Sequence, residues 1–253
     1  MKLGFETDNG IGTRATLGAI VLSTDETFEP ELAQMTGVLD HVALYHSRIP
    51  MKTDVSEATL AQMEADMPAS AALLPQALDF DVIGYGCTSA SSVIGSENVE
   101  KAIQSVFPKS RVTNPLAAII AAGRRLGMTR IGFVTPYVPA VSARMRSRLE
   151  DAGFAIAGFG SFEEGDDRVV ARITEASIET AARKMAETTD CDGIVIACTN
   201  LRCLNVIDRV ESATGVPVLS SNQALGWHML RLAGVQEAMP GMGRLFTCDL
   251  PEG

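Results

Sequence analysis

The sequence has few of the features that define several large classes of protein. Its 21 Lys and Arg residues are outnumbered by 31 Asp and Glu residues, and the basic residues form no cluster. A nucleic-acid backbone or an anionic membrane surface would repel such a chain. No stretch reaches the apolar length of a membrane span, and the opening MKLGFETDNGIGTR has no apolar core or small-residue cleavage site. We expect a cytoplasmic protein that binds neither nucleic acid nor membrane.

Signatures of metals, disulfides and nucleotide cofactors are also missing. Five cysteines cannot all pair within one chain, and a reducing compartment argues against a disulfide framework. Cys191, Cys198 and Cys203 do not have the spacing of a zinc site, and no histidine lies near them. The glycines of Gly10-Ile-Gly12 precede the first strand instead of following it, unlike a dinucleotide fingerprint. The sequence predicts no metal and no cofactor.

What is present is a regular alternation of buried strands and amphipathic helices. The chain has 253 residues and 46% hydrophobic content, which suits one large α/β domain or two of ordinary size. Its short apolar runs are rich in Val, Ile and Ala, as in parallel strands that helices cover on both faces. We predict strands near Leu17–Leu22, His41–His46, Val82–Gly86, Arg111–Thr113, Arg130–Val134, Ala155–Phe159, Gly193–Ala197 and Val216–Leu219. We predict helices at Pro139–Ala152, Thr174–Thr188 and Gln223–Ala233, and one that begins at Ser56 and is interrupted at Pro68 and Pro75.

The chain contains an internal duplication. Asp81–Ser89 reads DVIGYGCTS and Asp192–Asn200 reads DGIVIACTN, with Asp, Ile, Cys and Thr at matching places. Two further pairs of similar segments are separated along the chain by nearly the same number of residues as Cys87 and Cys198. This separation is far too long for a solenoid repeat. We therefore expect two similar α/β domains, residues 1–115 and 116–219, with a cleft between them. The C-terminal segment 220–253 is expected to cross back and complete the first domain.

The repeat places two cysteines at equivalent strand ends. Cys87 and Cys198 each follow a buried strand, where ligands bind in parallel sheets and where the next helix presents its N–H groups. A helix start lowers the pKa of a thiol and favours the reactive thiolate. The alternative for any lone cysteine is a small buried hydrophobic residue. Two cysteines facing one cleft would instead suit a reaction that needs an acid or base on each side of a carbon.

Four segments carry a resemblance to a known superfamily: GYGCTSASSVIG around Cys87, VTPYVPAV around Tyr137, IACTNLR around Cys198, and VPVLSSNQALGWHML near the C-terminal end. The chain resembles the aspartate/glutamate racemase superfamily, in the branch of maleate cis-trans isomerase, arylmalonate decarboxylase and the ectoine-utilization proteins, and is most similar to the last. The resemblance implies two pseudosymmetric Rossmann-like (flavodoxin-like) domains with parallel sheets, an active site in the interdomain cleft, and no cofactor.

The resemblance also implies roles for individual residues. In the isomerases the position of Cys87 is a nucleophile on an alkene and that of Cys198 an acid/base, whereas the racemases use both cysteines for proton transfer. The decarboxylase branch keeps only the second cysteine. Tyr137 matches a substrate-binding tyrosine that holds a carboxylate. Thr88 and Ser89 after Cys87, and Thr199 and Asn200 after Cys198, lie at expected helix starts whose amides could bind a carboxylate or enolate oxygen.

Two positions depart from the maleate isomerase pattern, which has asparagines that help to bind the substrate carboxylates. This sequence has Asp25 after the first strand and Asp167 in the loop after the sixth, although Asp166 could take the second place. A carboxylate cannot donate a hydrogen bond and repels an anion. The two Asp residues are expected to disfavour dicarboxylates and to suit a ligand with an ammonium, amidine or ring N–H. Asp25 could instead orient or deprotonate Cys87, as an aspartate does in the amino-acid racemases.

The sequence thus predicts a cofactor-independent two-cysteine isomerase or racemase of a small carboxylate. The resemblance implies that it acts in the breakdown of ectoine or a related amino-acid derivative. Two alternatives stay open: an arylmalonate decarboxylase-like lyase that uses Cys198 alone, and a non-enzymatic small-molecule binding protein. The resemblance implies a homodimer or homotetramer.

Overall fold

A computed structural model of the chain describes residues 1–51 and 57–250. Within these residues no helix has the length and apolar character needed to cross a membrane. The predicted start of a helix at Ser56 lies outside the described residues.

Eight parallel strands form two separate sheets of four. The strand order is β2-β1-β3-β4 in the first sheet and β6-β5-β7-β8 in the second, so the two halves repeat one topology. The expected fold, two pseudosymmetric α/β halves with parallel sheets, is confirmed. The strands are β1 (Ala15–Leu22), β2 (Val42–Ile49), β3 (Val82–Gly86), β4 (Arg111–Thr113), β5 (Arg130–Thr135), β6 (Ala155–Ser161), β7 (Gly193–Ile196) and β8 (Val218–Ser220).

Helices connect the strands and cover the sheets. The predicted interruption at Pro68 is wrong, because α2 continues to Ala71; a proline removes one N–H donor but the turns on either side keep theirs. The helices are α1 (Phe28–Thr36), α2 (Glu57–Ala71), α3 (Thr88–Ile94), α4 (Ser96–Gln104), α5 (Pro115–Arg125), α6 (Pro139–Asp151), α7 (Asp167–Val170), α8 (Glu175–Thr188), α9 (Leu204–Thr214) and α10 (Ser221–Leu232), followed by a 3₁₀ turn at Arg244–Thr247.

The aspartate shared by the two repeats links two neighbouring strands in each half. Asp81 Oδ2 accepts a hydrogen bond from the Thr16 N–H group (2.8 Å), which ties the start of β3 to β1. Asp192 Oδ1 accepts one from the Thr129 N–H group (2.9 Å), which ties the start of β7 to β5. These bonds satisfy N–H groups at the strand starts, where the ladder begins. The repeat in the sequence is therefore a repeat of sheet construction as well as of cysteine position.

The C-terminal helix α10 packs against the first half of the chain. It contacts β3, β4 and α1 of the first half, as well as α5, whose residues after Pro115 belong to the second half. Gly84 on β3 allows the close approach, because a Cβ atom there would lie 2.5 Å from the Met229 sulfur. Trp227 is fully buried, and its indole N–H donates to the Cys248 carbonyl (2.8 Å). On this basis we propose the division into residues 1–115 completed by 220–253, and residues 116–219.

Candidate active site

Four strands end at one place and supply the candidate site. Asp25 follows β1, Cys87 follows β3, Tyr137 follows β5 and Cys198 follows β7. The Thr199 hydroxyl donates to the Gly86 carbonyl (3.4 Å), so the ends of β3 and β7 are in contact. Carboxyl ends of parallel strands are where α/β proteins bind ligands. The two halves therefore bring their equivalent ends together around one site.

Cys87 is the N-cap of α3 and is only 1% exposed. Its Sγ atom accepts a hydrogen bond from the Ala90 N–H group (3.4 Å) and lies 3.6 Å from the Ser89 hydroxyl. Burial raises the pKa of this thiol to about 11, with Asp167 and Asp25 adding to the rise and the Ala90 and Ser89 bonds opposing it. In the ligand-free protein the group is a thiol.

Cys198 lies in the loop after β7 and is 2% exposed. Its Sγ atom accepts a hydrogen bond from the Asn200 N–H group (3.3 Å), and the Tyr137 hydroxyl forms a second hydrogen bond with it. Burial, followed by the charge of Asp167, raises the pKa of the Cys198 thiol well above its ordinary value, and the bonds from Tyr137 and Asn200 oppose the rise. Of the two cysteines, it is therefore Cys198 that is hydrogen-bonded to Tyr137.

Two expectations about the cysteines are corrected. The helix after Cys198 does not begin at Thr199 and Asn200, because residues 199–203 form a loop and α9 begins at Leu204. The expected lowering of the thiol pKa values is also wrong for the ligand-free protein. A helix start offers partial positive charge, but closure of the two halves removes water from both sulfur atoms, and this desolvation is the larger effect.

Asp25 is buried and half of its carboxylate is free. Its Oδ1 atom accepts hydrogen bonds from the N–H groups of Thr27 and Phe28, both 2.8 Å, and so caps α1. Its Oδ2 atom has no hydrogen-bond partner among the described residues, and the side chain is 2% exposed. Burial raises the pKa of this carboxyl group, although the Phe28 and Thr27 N–H groups and the nearby Thr199 hydroxyl oppose the rise. The free oxygen is the feature that a ligand with an N–H group would satisfy.

Asp167, and not Asp166, faces the site. Asp167 is buried, its Oδ2 atom accepts a hydrogen bond from the Thr24 hydroxyl (2.5 Å), and its charge acts on both catalytic candidates, Cys87 and Cys198. Asp166 instead caps α7 and pairs with the exposed Arg168 (2.6 Å). Asp25 and Asp167 make no ion pair with any Lys or Arg side chain in the part of the chain that the structure describes.

The four residues that follow the cysteines have different surroundings. The Thr88 hydroxyl is engaged with the Ser221 hydroxyl (2.8 Å). The backbone N–H groups of Thr88 and Ser89 precede Ser91, whose N–H group makes the first intrahelical bond of α3, to the Cys87 carbonyl (3.1 Å). The first N–H groups of a helix have no partner within it. Those of Thr88 and Ser89 therefore have no acceptor within α3.

Asn200 holds the site together through its side chain. Its Oδ1 atom accepts from the Glu26 N–H group (2.9 Å), and its Nδ2 atom donates to the Asp167 carbonyl (2.9 Å). Its own carbonyl accepts from the Thr27 hydroxyl (3.1 Å). The Asn200 amide is thus used within the protein, and it fixes the loops that carry Asp25 and Asp167.

Comparison with known proteins identifies the family. Residues 96–246, more than half of the chain, match the family described as arylmalonate decarboxylase (Amdase). The chain belongs to this family. The arylmalonate decarboxylase of Bordetella bronchiseptica is 34% identical over 136 residues, which are 53% of this chain and 57% of that protein.

Maleate isomerases are similar to this Amdase-family chain over nearly its whole length. The maleate isomerase of Nocardia farcinica is 29% identical over 245 residues, which are 92% of this chain and 96% of that protein. A solved structure of the Nocardia farcinica maleate cis-trans isomerase with a covalently bound succinylcysteine intermediate has a TM-score of 0.83 and 27% identity, and covers 92% of this chain and 98% of that one. These relatives confirm the predicted branch of the superfamily and the prediction of an isomerase.

Sequence reasoning missed several polar residues that support the site. Glu31 on α1 and Asn222 on α10 are buried, and together they contact the loop that follows Cys198. Thr24 and Ser221 contact Asp167 and Thr88. Glu31 stands in an ordinary amphipathic helix, so no local signal marks it. Within residues 1–51 and 57–250, no group of three or more His, Cys, Asp or Glu side chains could hold a metal ion.

Proposed function

We propose that this chain is an isomerase or racemase of a small carboxylate in which Cys87 and Cys198 act on opposite sides of the substrate. One observation carries the proposal: two buried thiols at equivalent strand ends share the same charged neighbours. The charges of Asp167 and Asp25 act on both cysteines, and both cysteines in their thiolate form act on Tyr137. The two sulfur atoms therefore lie near the same three side chains.

The chemistry follows one of two balanced routes. In an addition and elimination, the Cys87 thiolate forms a C–S bond to one alkene carbon while the Cys198 thiol gives its proton to the other. Rotation about the resulting single bond and reversal of both steps return the thiolate, the thiol and the isomerised alkene. In a racemization, one thiolate removes the α-proton and the opposite thiol delivers a proton to the other face. Neither route consumes an external reactant.

The surroundings of the two thiols favour Cys87 as the first thiolate. Cys87 is the N-cap of α3, whose first N–H groups stabilise a thiolate, whereas Cys198 lies in a loop and α9 begins only at Leu204. The group that loses its proton more easily becomes the nucleophile or base. Cys198 then keeps its proton and acts as the acid.

The acidic side chains select the substrate class. Asp25 and Asp167 are buried beside the thiols, and Asp25 has a free oxygen. A buried carboxylate oxygen without a hydrogen bond is costly, and a second substrate carboxylate would add repulsion. The proposed substrate therefore combines one carboxylate, bound by the N–H groups of Thr88 and Ser89 and by Tyr137, with a cationic nitrogen at Asp25 and Asp167.

A substrate of this kind is an amino-acid derivative. It agrees with the similarity of GYGCTSASSVIG and VPVLSSNQALGWHML to the ectoine-utilization proteins. We place the chain in the catabolism of ectoine or a related compound, as a homodimer or homotetramer in the cytoplasm.

The second candidate function is decarboxylation. The family match and the Bordetella bronchiseptica relative favour it. In that reaction Cys198 alone protonates the enolate left by loss of carbon dioxide, and Cys87 has no chemical part. The presence of both cysteines favours the isomerase.

Single-cysteine variants test the proposal. Cys87→Ala and Cys198→Ala are each expected to lose turnover of an active amino-acid derivative by about 10³-fold or more, whereas Cys191→Ala, at the half-exposed cysteine outside the site, keeps it. Reactions in deuterium oxide then separate the routes, because racemization puts solvent deuterium at the α-carbon of recovered substrate. Full activity of Cys87→Ala with loss of carbon dioxide would establish the decarboxylase instead.

A further inference from the structure

Glu31 is a buried carboxylate that the proposed reaction does not use. It lies in the first turn of α1 and is 6% exposed. Its Oε1 atom accepts hydrogen bonds from the N–H groups of Cys203 (2.7 Å) and Leu204 (2.8 Å). These are the first N–H groups of α9, for which the N-cap residue Cys203 provides no side-chain bond. A residue of the first half thus caps a helix of the second half.

The other oxygen of Glu31 reaches the same loop at its opposite end. Glu31 Oε2 accepts a hydrogen bond from Asn222 Nδ2 (2.8 Å), which also donates to the Thr199 carbonyl (2.8 Å). Both neighbours of this nitrogen are acceptors, so the orientation of the Asn222 amide is determined. The loop 199–203 is therefore held at Thr199 through Asn222 and at Cys203 directly.

This loop provides the N–H group that bonds Cys198. The Asn200 N–H group donates to Cys198 Sγ (3.3 Å), and Asn200 lies between the two held positions. Cys87 receives its N–H bond from Ala90 on α3, an element that none of the Glu31 hydrogen bonds reaches. A displacement of the loop would change the surroundings of one thiol and leave those of the other.

We propose that Glu31, through Asn222 and the start of α9, is a positioning residue that sets the hydrogen bonding of Cys198 and so its reactivity relative to Cys87. The proposal rests on Cys198 being one of the two reacting groups. All three groups that face the carboxylate oxygens are hydrogen-bond donors, which makes an acceptor with two oxygens necessary at this place.

Glu31→Gln tests the proposal because it keeps the size and removes one acceptor. The new amide can still accept from Cys203 and Leu204, but its NH₂ group then faces the NH₂ group of Asn222. If the Asn222 amide keeps its orientation, repulsion between the two NH₂ groups displaces it, and if it rotates, its oxygen faces the Thr199 carbonyl. Both outcomes weaken the link between Asn222 and Thr199. Asn222→Ala cuts the same link from the other side and serves as the second variant.

The measurement is the pH dependence of alkylation by iodoacetamide, followed separately for the Cys87 and Cys198 peptides by mass spectrometry. In both variants the midpoint for Cys198 is expected to rise by about half a pH unit or more, with that for Cys87 unchanged. A displaced catalytic group also predicts a fall in kcat of about 10-fold or more with little change in KM. The double variant should behave like the single ones, since both cut one link.

Glu211→Gln is the matched control. Glu211 is also a buried glutamate that accepts two backbone N–H groups, from Val218 and Arg244 (both 2.9 Å), but it does not contact loop 199–203 through these bonds. It should shift neither midpoint. Equal shifts of both cysteines, or no shift in Glu31→Gln and Asn222→Ala, would overturn the proposal. Labelling needs no turnover, so failure of the proposed reaction would appear separately, as undiminished activity of Cys198→Ala.

Discussion

Replacement of Asp25 by Asn tests the substrate class most directly. The change keeps an oxygen that can accept from the Thr27 and Phe28 N–H groups, so the cap of α1 and the fold are preserved. It removes one buried negative charge and turns the free oxygen into a donor. The variant thus carries the amide that the maleate isomerase pattern has at this place.

The size of the effect follows from Coulomb's law. Two unit charges about 4 Å apart at an effective dielectric constant of about 20 interact by about 4 kcal/mol. The two N–H groups and the start of α1 already offset part of the charge of Asp25. Taking about half of the full value leaves about 2 kcal/mol, or about 30-fold in kcat/KM. A cationic substrate should lose that factor, and a dicarboxylate such as maleate should gain it.

The assay compares kcat/KM for maleate and for an amino-acid derivative in the native protein and in Asp25→Asn. Asp166→Asn is the control, because Asp166 is a half-buried neighbour that pairs with the exposed Arg168 outside the site. The ratio of the two substrates should change by about 100-fold or more in Asp25→Asn and stay constant in the control. Fast turnover of maleate by the native protein, no slower than by Asp25→Asn, would refute the reasoning.

Two further predictions concern the thiols. Tyr137→Phe removes the hydroxyl that is hydrogen-bonded to Cys198, so the pKa of that thiol should rise further. Steady-state kinetics should show a fall in kcat of about 10-fold, and urea denaturation a change of about 1 kcal/mol in the free energy of unfolding. In the ligand-free protein, alkylation of Cys87 should keep increasing with pH beyond the ordinary thiol midpoint of about 8.5, because burial raises its pKa to about 11 and only the thiolate reacts. A plateau of Cys87 labelling near pH 8.5 would contradict the second prediction, and an unchanged rate in Tyr137→Phe the first.

The strand pattern could be predicted because parallel strands covered on both faces are continuous apolar runs. Their order along the chain then places Cys87 and Cys198 at equivalent carboxyl ends. The strand limits differ where single residues interfere. β8 begins at Val218 instead of Val216, because Pro217 has no N–H group to donate to the ladder. β2 begins after His41, whose φ of 61° is left-handed and ends the preceding turn.

The polar framework of the site could not be predicted because its contacts join distant parts of the chain. Asn200 was expected at a helix start whose amides could bind a carboxylate or enolate oxygen, but it lies in a loop and its side-chain partners are Glu26 and Asp167. Glu31 caps α9 across the two halves. The choice between Asp166 and Asp167 likewise depends on Thr24, which approaches from the first half. All of these bonds except that between Asn200 and Asp167 join one half of the chain to the other.

The burial of the thiols between the two halves explains why they are protonated and how a substrate could change this. Burial raises both thiol pKa values, and the charges of Asp25 and Asp167 raise them further. A ligand with a cationic nitrogen beside these carboxylates cancels the second contribution, so its binding lowers the cost of forming a thiolate. A dicarboxylate acts in the opposite sense. Substrate charge would then control reactivity as well as affinity, and a discriminating site needs no lysine or arginine to achieve it.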